Sequence, residues 1–137
     1  MPKVIFNAQK TDGGDEFNGN ITFNDVTLNV GKGMSSDGFV APIDGHYRLS
    51  FSAIGTMNKY ELSTWVKVYK NEVMAMYIGD SNECKKSDGN NISHNWIWKL
   101  NKGDTVSFEV NSESYLRSFL TEPVNFNGEH PLHSVTI

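Results

Sequence analysis

An all-β sandwich or barrel is the fold class this sequence predicts, on three observations. Its apolar segments are short and alternate with period two, which sets one side chain in and the next out. Gly, Asn and Asp bound those segments, and the chain carries fifteen Asn and twelve Gly. The segments recur at roughly 8–12-residue spacing, the rhythm of strands folded back on one another. No stretch carries a helical period.

The elements follow in order. Val4–Ala8 opens as a short strand. Asp12–Asn20 is a polar loop, with turn signals at Asp12-Gly13 and Asn18-Gly19. Ile21–Val30 reads as one or two strands, Gly31–Gly38 as a loop, and Phe39–Val40 as extended chain before the turn at Pro42–Gly45. Gly45–Ile54 is the clearest strand. Tyr47, Leu49, Phe51 and Ala53 fall on one face, with His46, Arg48, Ser50 and Ser52 on the other. Ser63–Lys70 and Val73–Tyr77 are strands joined tightly at Asn71-Glu72. Asp80–Asn90 is a long polar loop, Ile92–Leu100 a strand, and Asn101–Asp104 a turn into strand Thr105–Val110. Further strand-like pieces lie at Phe119-Leu120, Val124–Phe126 and Val135–Ile137. No internal repeat or boundary divides residues 1–137, which read as one domain long enough to bury a core.

Composition narrows the function classes. The net charge of −4 excludes nucleic acid as the main partner, because phosphate contacts need a basic face. Lys85-Lys86 is the longest basic run. No stretch of 18 apolar residues exists, so no membrane insertion is expected. Cys84 is the only cysteine, which precludes an intrachain disulfide and a cysteine-built zinc site; it reads as a free surface thiol. Met1-Pro2-Lys3 runs almost directly into strand-like sequence with no visible signal peptide, as in a trimmed or isolated domain. His-Glu-x-x-His, phosphate-loop and Gly-x-Ser-x-Gly motifs are missing, and no enzyme is expected. His130 and His133 could chelate a metal by proximity, but three residues apart on a strand they point to opposite faces.

Several ordered matches resemble the C1q globular-head family of the C1q/tumour-necrosis-factor superfamily. Phe23 stands six residues before Asn29, and Phe39 is separated by five residues from Gly45, which Tyr47 and Phe51 follow. Val4-Ile5-Phe6-Asn7-Ala8 is similar to the family's first strand and Val66-Lys67-Val68-Tyr69-Lys70-Asn71 to its central hairpin. Trp98-Lys99-Leu100 with Gly103-Asp104-Thr105-Val106 resembles its late strand–turn–strand. The resemblance implies a jelly-roll β-sandwich of about ten antiparallel strands in which these signature residues are structural. Met34 stands where the family usually has an aromatic, and Leu49 replaces a usual Phe. Pro131 follows Phe126-Asn127-Gly128-Glu129-His130, so the closing strand is expected to start late, at Leu132, or to be rearranged.

The same resemblance implies a secreted, non-catalytic module that packs as a homotrimer through an apolar sheet surface. Trp65, Trp96, Trp98 and Tyr69 cannot all face one core. One set is expected inside the sandwich and the other against a partner subunit or a stacked ligand. No cofactor is required, but some trimers of the family hold calcium through acidic loop residues. Asp80 and Asp88 resemble such a pair, with Glu83, Asn82 and Asn90 as further oxygen donors; a solvated loop offset by Lys85 and Lys86 is the plainer reading. Asn20-Ile21-Thr22 and Asn91-Ile92-Ser93 fit the N-glycosylation pattern.

Three function classes remain. The leading one is pattern recognition in innate immunity, in which the trimer binds a glycan, a microbial surface or a protein. The others are a signalling ligand for a protein receptor and a trimerising assembly head. Loops Gly31–Gly38, Asp80–Asn90 and Asn111–Arg117 are the expected contact surfaces. Within them, Tyr115 is suited to stacking, and Lys85, Lys86 and Arg117 to binding carboxylate or phosphate.

Overall fold

The alternating pattern closes into two antiparallel sheets in a computed structural model that describes residues 3–56, 63–81, 90–112 and 114–132. Its strands are β1 (Val4–Lys10), β2 (Gly14–Phe17), β3 (Gly19–Asn20), β4 (Asp25–Val30), β5 (Met34–Ser35), β6 (Gly38–Val40) and β7 (Gly45–Thr56). They continue as β8 (Ser63–Lys70), β9 (Val73–Ser81), β10 (Asn90–Leu100), β11 (Thr105–Val110), β12 (Tyr115–Ser118) and β13 (Val124–His130). One sheet runs β2-β12-β7-β13-β1-β4, with β10 also paired to β7; the other runs β5-β6-β11-β8-β9, with β3 on β11. The first and last strands are neighbours, the crossing that a jelly roll requires.

Inward positions build an aromatic core. Phe6 stacks on Phe39 at 4.4 Å, and Phe126 meets Phe6 at 4.9 Å, Phe108 at 4.6 Å and Phe23 at 5.9 Å between ring centres. Tyr47, Leu49 and Phe51 are fully buried on β7, as their alternation predicts. The Tyr47 hydroxyl donates to the Ile43 carbonyl at 2.7 Å, which satisfies its one polar atom and pins the turn before the strand.

The polar signature residues tie turns together. Asn29 donates to the Met34 carbonyl at 2.9 Å and accepts from its amide at 3.0 Å, so one side chain does the work of a strand partner. Met34 occupies a buried position, where its flexible thioether fills the space. Asn71 and Glu72 have φ of 53° and 65°, the geometry of a type I′ hairpin. The Asn71 amide donates to Asp104 at 3.0 Å, and Asp104 accepts the Asn101 N–H at 2.8 Å. Those two bonds, the backbone one foremost, hold the Asp104 carboxyl below the ordinary carboxylate range.

Several expectations are corrected. The closing strand does not start at Leu132. It spans Val124–His130, with Val124, Phe126, Gly128 and His130 buried, and it ends where Pro131 would leave the ladder without a donor. Gly128 lets β13 pass over the Phe6 ring, since a Cβ there would lie 2.6 Å from Phe6 Cε1. His130 takes the inward position at the end of the strand. Its ring stacks on Tyr47 at 4.9 Å and fills the space above Gly45, where a Cβ would lie 2.1 Å from His130 Cε1. The expected Ile21–Val30 strands shorten to β4, because Ile21 and Phe23 leave the ladder to plug the core. Gly31–Gly38 is no open loop, since β5 pairs with β6 there. Phe119-Leu120 is not strand; Phe119 and Glu122 close a turn through reciprocal backbone bonds at 3.1 Å. The expected strand Val135–Ile137 lies outside the described residues.

Candidate functional site

With the core filled by side chains, the functional surface must lie on the outward faces or at the strand ends. On the seven-stranded sheet, pairing register sets two outward rows across β4, β1, β13, β7 and β10. One row reads Leu28, Asn7, Asn127, Ser50 and Asn95; the next reads Val30, Ile5, Glu129, Arg48 and Ile97. Leu28 and Val30 are 43% and 42% exposed at one edge, and Ile97 is 47% exposed at the other. Between these apolar edges the face is polar except for Ile5. Arg48 Nε lies 3.7 Å from Glu129 Oε1, and Ser50 hydrogen-bonds Asn95. A groove of about 510 Å³ runs along both rows.

Tyr115 and Arg117 do not stand on a loop, as the turn-rich sequence before them suggested. They lie on β12 opposite Thr56 and Ile54 of β7, half-buried, with Leu116 and Ser118 turned into the core. Arg117 Nη1 sits 3.4 Å from Glu122 Oε2, so part of its charge is used within the chain. Its Nε is buried with no hydrogen-bond partner. Asp80 falls near the end of β9, opposite Thr64. Asp88, Lys85, Lys86, Cys84, Asn82, Glu83 and His133 lie outside the described residues. Among the described residues no three His, Cys, Asp or Glu side chains come together as a metal-binding group, and no helix is long and apolar enough to cross a membrane. His130 Nδ1 faces the His46 carbonyl at 2.9 Å. A carbonyl only accepts, so this nitrogen carries a proton and is occupied.

The tryptophans divide as the alternation requires. Trp96 and Trp98 turn toward the core, half-buried, at 5.7 Å from each other, with the Lys70 ammonium 5.8 Å from the Trp98 ring centre. Trp65 and Tyr69 face outward on the other sheet. Lys67 Nζ lies 3.8 Å from Glu109 Oε1, and the Tyr69 hydroxyl donates to that oxygen at 2.7 Å. Donation to a carboxylate favours the neutral phenol, so the Tyr69 pKa is raised. Trp65 meets Tyr77 edge to face at 6.2 Å. The sequence reading did not single out Leu28, Val30 or Tyr77. Their period-two placement was legible, but which face was outward depends on register.

Known proteins resemble this architecture. A family model, the C1q domain, matches residues 5–128. The globular domain of zebrafish complement 1qA superposes with a TM-score of 0.71 at 19% identity, covering 96% of this chain and 99% of that one. No curated protein matches. The family match spans most of the chain, from the second residue of β1 to the fifth of β13, and the chain belongs to the C1q domain family.

Proposed function

We propose that this C1q domain is a secreted, non-catalytic recognition module that assembles as a homotrimer and binds clustered glycans on a microbial or cell surface. C1q domains in general trimerise and bind ligands, and proteins of the family are typically secreted. The observation that carries the reading is the placement of apolar side chains at opposite edges of one sheet face, Leu28 and Val30 on β4 against Ile97 on β10. Such a surface offers two apolar edges on different strands of one face. It suits head-to-tail packing, in which one copy's β4 edge meets the next copy's β10 edge, and rotation closes the ring. The Asn and Ser ladder between the edges supplies hydrogen bonds across a polar rim.

Three copies on one rigid body convert a shallow, weak site into a strong one. Avidity can add roughly 10²–10⁴ when targets are clustered at matching spacing. Tyr115 and Arg117, with Lys85 and Lys86, are the proposed contact side chains. The trimer is expected to bind densely immobilised glycan strongly and sparse glycan weakly, with free monosaccharide a poor competitor. Surface binding at several ligand densities measures this; equal affinity at every density contradicts the mechanism. A screen on immobilised protein receptors separates the reading from that of a signalling ligand.

A calcium ion held by Asp80 and Asp88 belongs to the same proposal. Hard cations take carboxylate oxygens, and three acidic loops near one axis would repel without one. Protein first shown to carry metal should melt lower in excess chelator, since a ligand bound only to the folded state stabilises by about 2.7 kcal/mol at one hundred times its Kd. The Asp80→Asn, Asp88→Asn variant should lose that response. An unchanged wild-type melt removes the site.

A further inference from the structure

We infer that Trp65, Tyr77 and Asn111 form a stacking subsite for one neutral pyranose with a contiguous C–H face, of the β-galactoside kind, on the outward face of the smaller sheet. This inference deepens the glycan-binding reading above and rests on it. The site begins with a missing side chain. Trp65 pairs across strands with Gly79, where a Cβ would lie 2.4 Å from Trp65 Cε3. The indole therefore covers the bare glycine backbone, as aromatic residues do over strand glycines. Tyr77, 49% exposed, stands at an interplanar angle of 80° to the indole and forms a wall. Among the described residues, Asn111 lines with them a pocket of about 250 Å³. That is below the roughly 300–1,000 Å³ of ordinary small-molecule sites and suits a single sugar ring.

The corner is held rigid by its backbone. Trp65 accepts from the Asn111 N–H at 2.9 Å, and its own N–H donates to the buried Ser114 hydroxyl at 2.9 Å. The Asn18 amide clasps the Asn111 and Ser114 carbonyls at 2.8 and 2.7 Å. A platform fixed before binding loses little freedom on binding, which shallow sites need. The chemistry also selects the ligand. An aromatic floor takes the C–H face of a pyranose, and Asn111 can both donate to and accept from its hydroxyls. Among the described residues the lining carries no charged side chain, and Glu109, two positions before Asn111, is engaged by Lys67 and Tyr69, which favours an uncharged sugar over an acidic one. In β-galactosides the C3, C4 and C5 hydrogens share one face, which matches a floor with one wall.

The test is saturation-transfer NMR on the assembled protein with methyl β-galactopyranoside, and methyl β-glucopyranoside for comparison. Saturation should concentrate on H3, H4 and H5 of the galactoside. Trp65→Ala should weaken binding about tenfold or more, the upper range for losing one aromatic contact, whereas Trp65→Phe, which still covers Gly79, should retain part of it. Tyr77→Ala alters an exposed side chain and carries the test should Trp65→Ala fail to fold. Equal saturation in wild type and folded Trp65→Ala or Tyr77→Ala overturns the subsite, as does wild-type saturation of neither glycoside. Dense-glycan binding that survives Trp65→Ala overturns this subsite alone. Wild-type binding to no glycan at any density overturns the recognition reading with it.

Discussion

Replacing Phe126 by Ala is expected to destabilise the domain by about 3–5 kcal/mol, the usual range for deleting a buried Phe ring. Phe126 is fully buried and is the ring at which the two sheets meet, touching Phe6 of β1, Phe108 of β11 and Phe23 between β3 and β4. Its neighbours sit on separate segments and cannot collapse into the hole together, so the cavity term adds to the transfer term. Urea denaturation at fixed protein concentration measures the loss, with Phe126→Leu as the milder control. A loss below about 1.5 kcal/mol, the scale of volume-conserving swaps, would show that the ring cluster is not the centre of the core.

A charged substitution on the outward face of β4 should act on assembly and leave the fold intact. The double variant Leu28→Lys, Val30→Lys places two ammonium groups where the proposed head-to-tail contact needs apolar surface. Lysine on an edge strand is well tolerated by a sheet, so each protomer should keep its circular-dichroism spectrum. The mass from light scattering should fall from that of three chains to that of one. Binding to dense glycan should fall by roughly 10²–10⁴, the avidity of the trimer. A variant that remains trimeric excludes the β4 edge from the interface. Monomeric wild-type protein at micromolar concentration overturns the assembly argument outright.

The two substitutions probe information of different kinds. Inward placement of Tyr47, Leu49 and Phe51 was readable from the chain, because period-two alternation and backbone geometry are local. The same holds for the tight Asn71-Glu72 connection, whose neighbours alternate on either side. Family-like spacing marked Asn29, Gly45 and Asp104 as structural, but not why. Asn29 stands in for a backbone partner of Met34, Gly45 makes room for His130, and Asp104 anchors a second turn through Asn71. Each cause is a contact made across the chain or around a turn that alternation does not encode.

The errors have the same origin. Tyr115 and Arg117 looked like loop residues because Asn111 and Ser112 precede them, yet pairing with the far end of β7 draws them into a strand. Pro131 suggested a disrupted closing strand, yet β1 pairs with all seven residues before it and β7 with five of those. By itself the sequence determined an all-β chain, the sides of its clearest strands and the family's turn chemistry, since these depend on neighbours along the backbone. Only the tertiary structure decided which sheet presents Leu28, Val30 and Ile97 at opposite edges and which sets the Trp65 indole against Gly79. Those juxtapositions depend on strand order and register, which residues distant in the chain settle jointly when they pair.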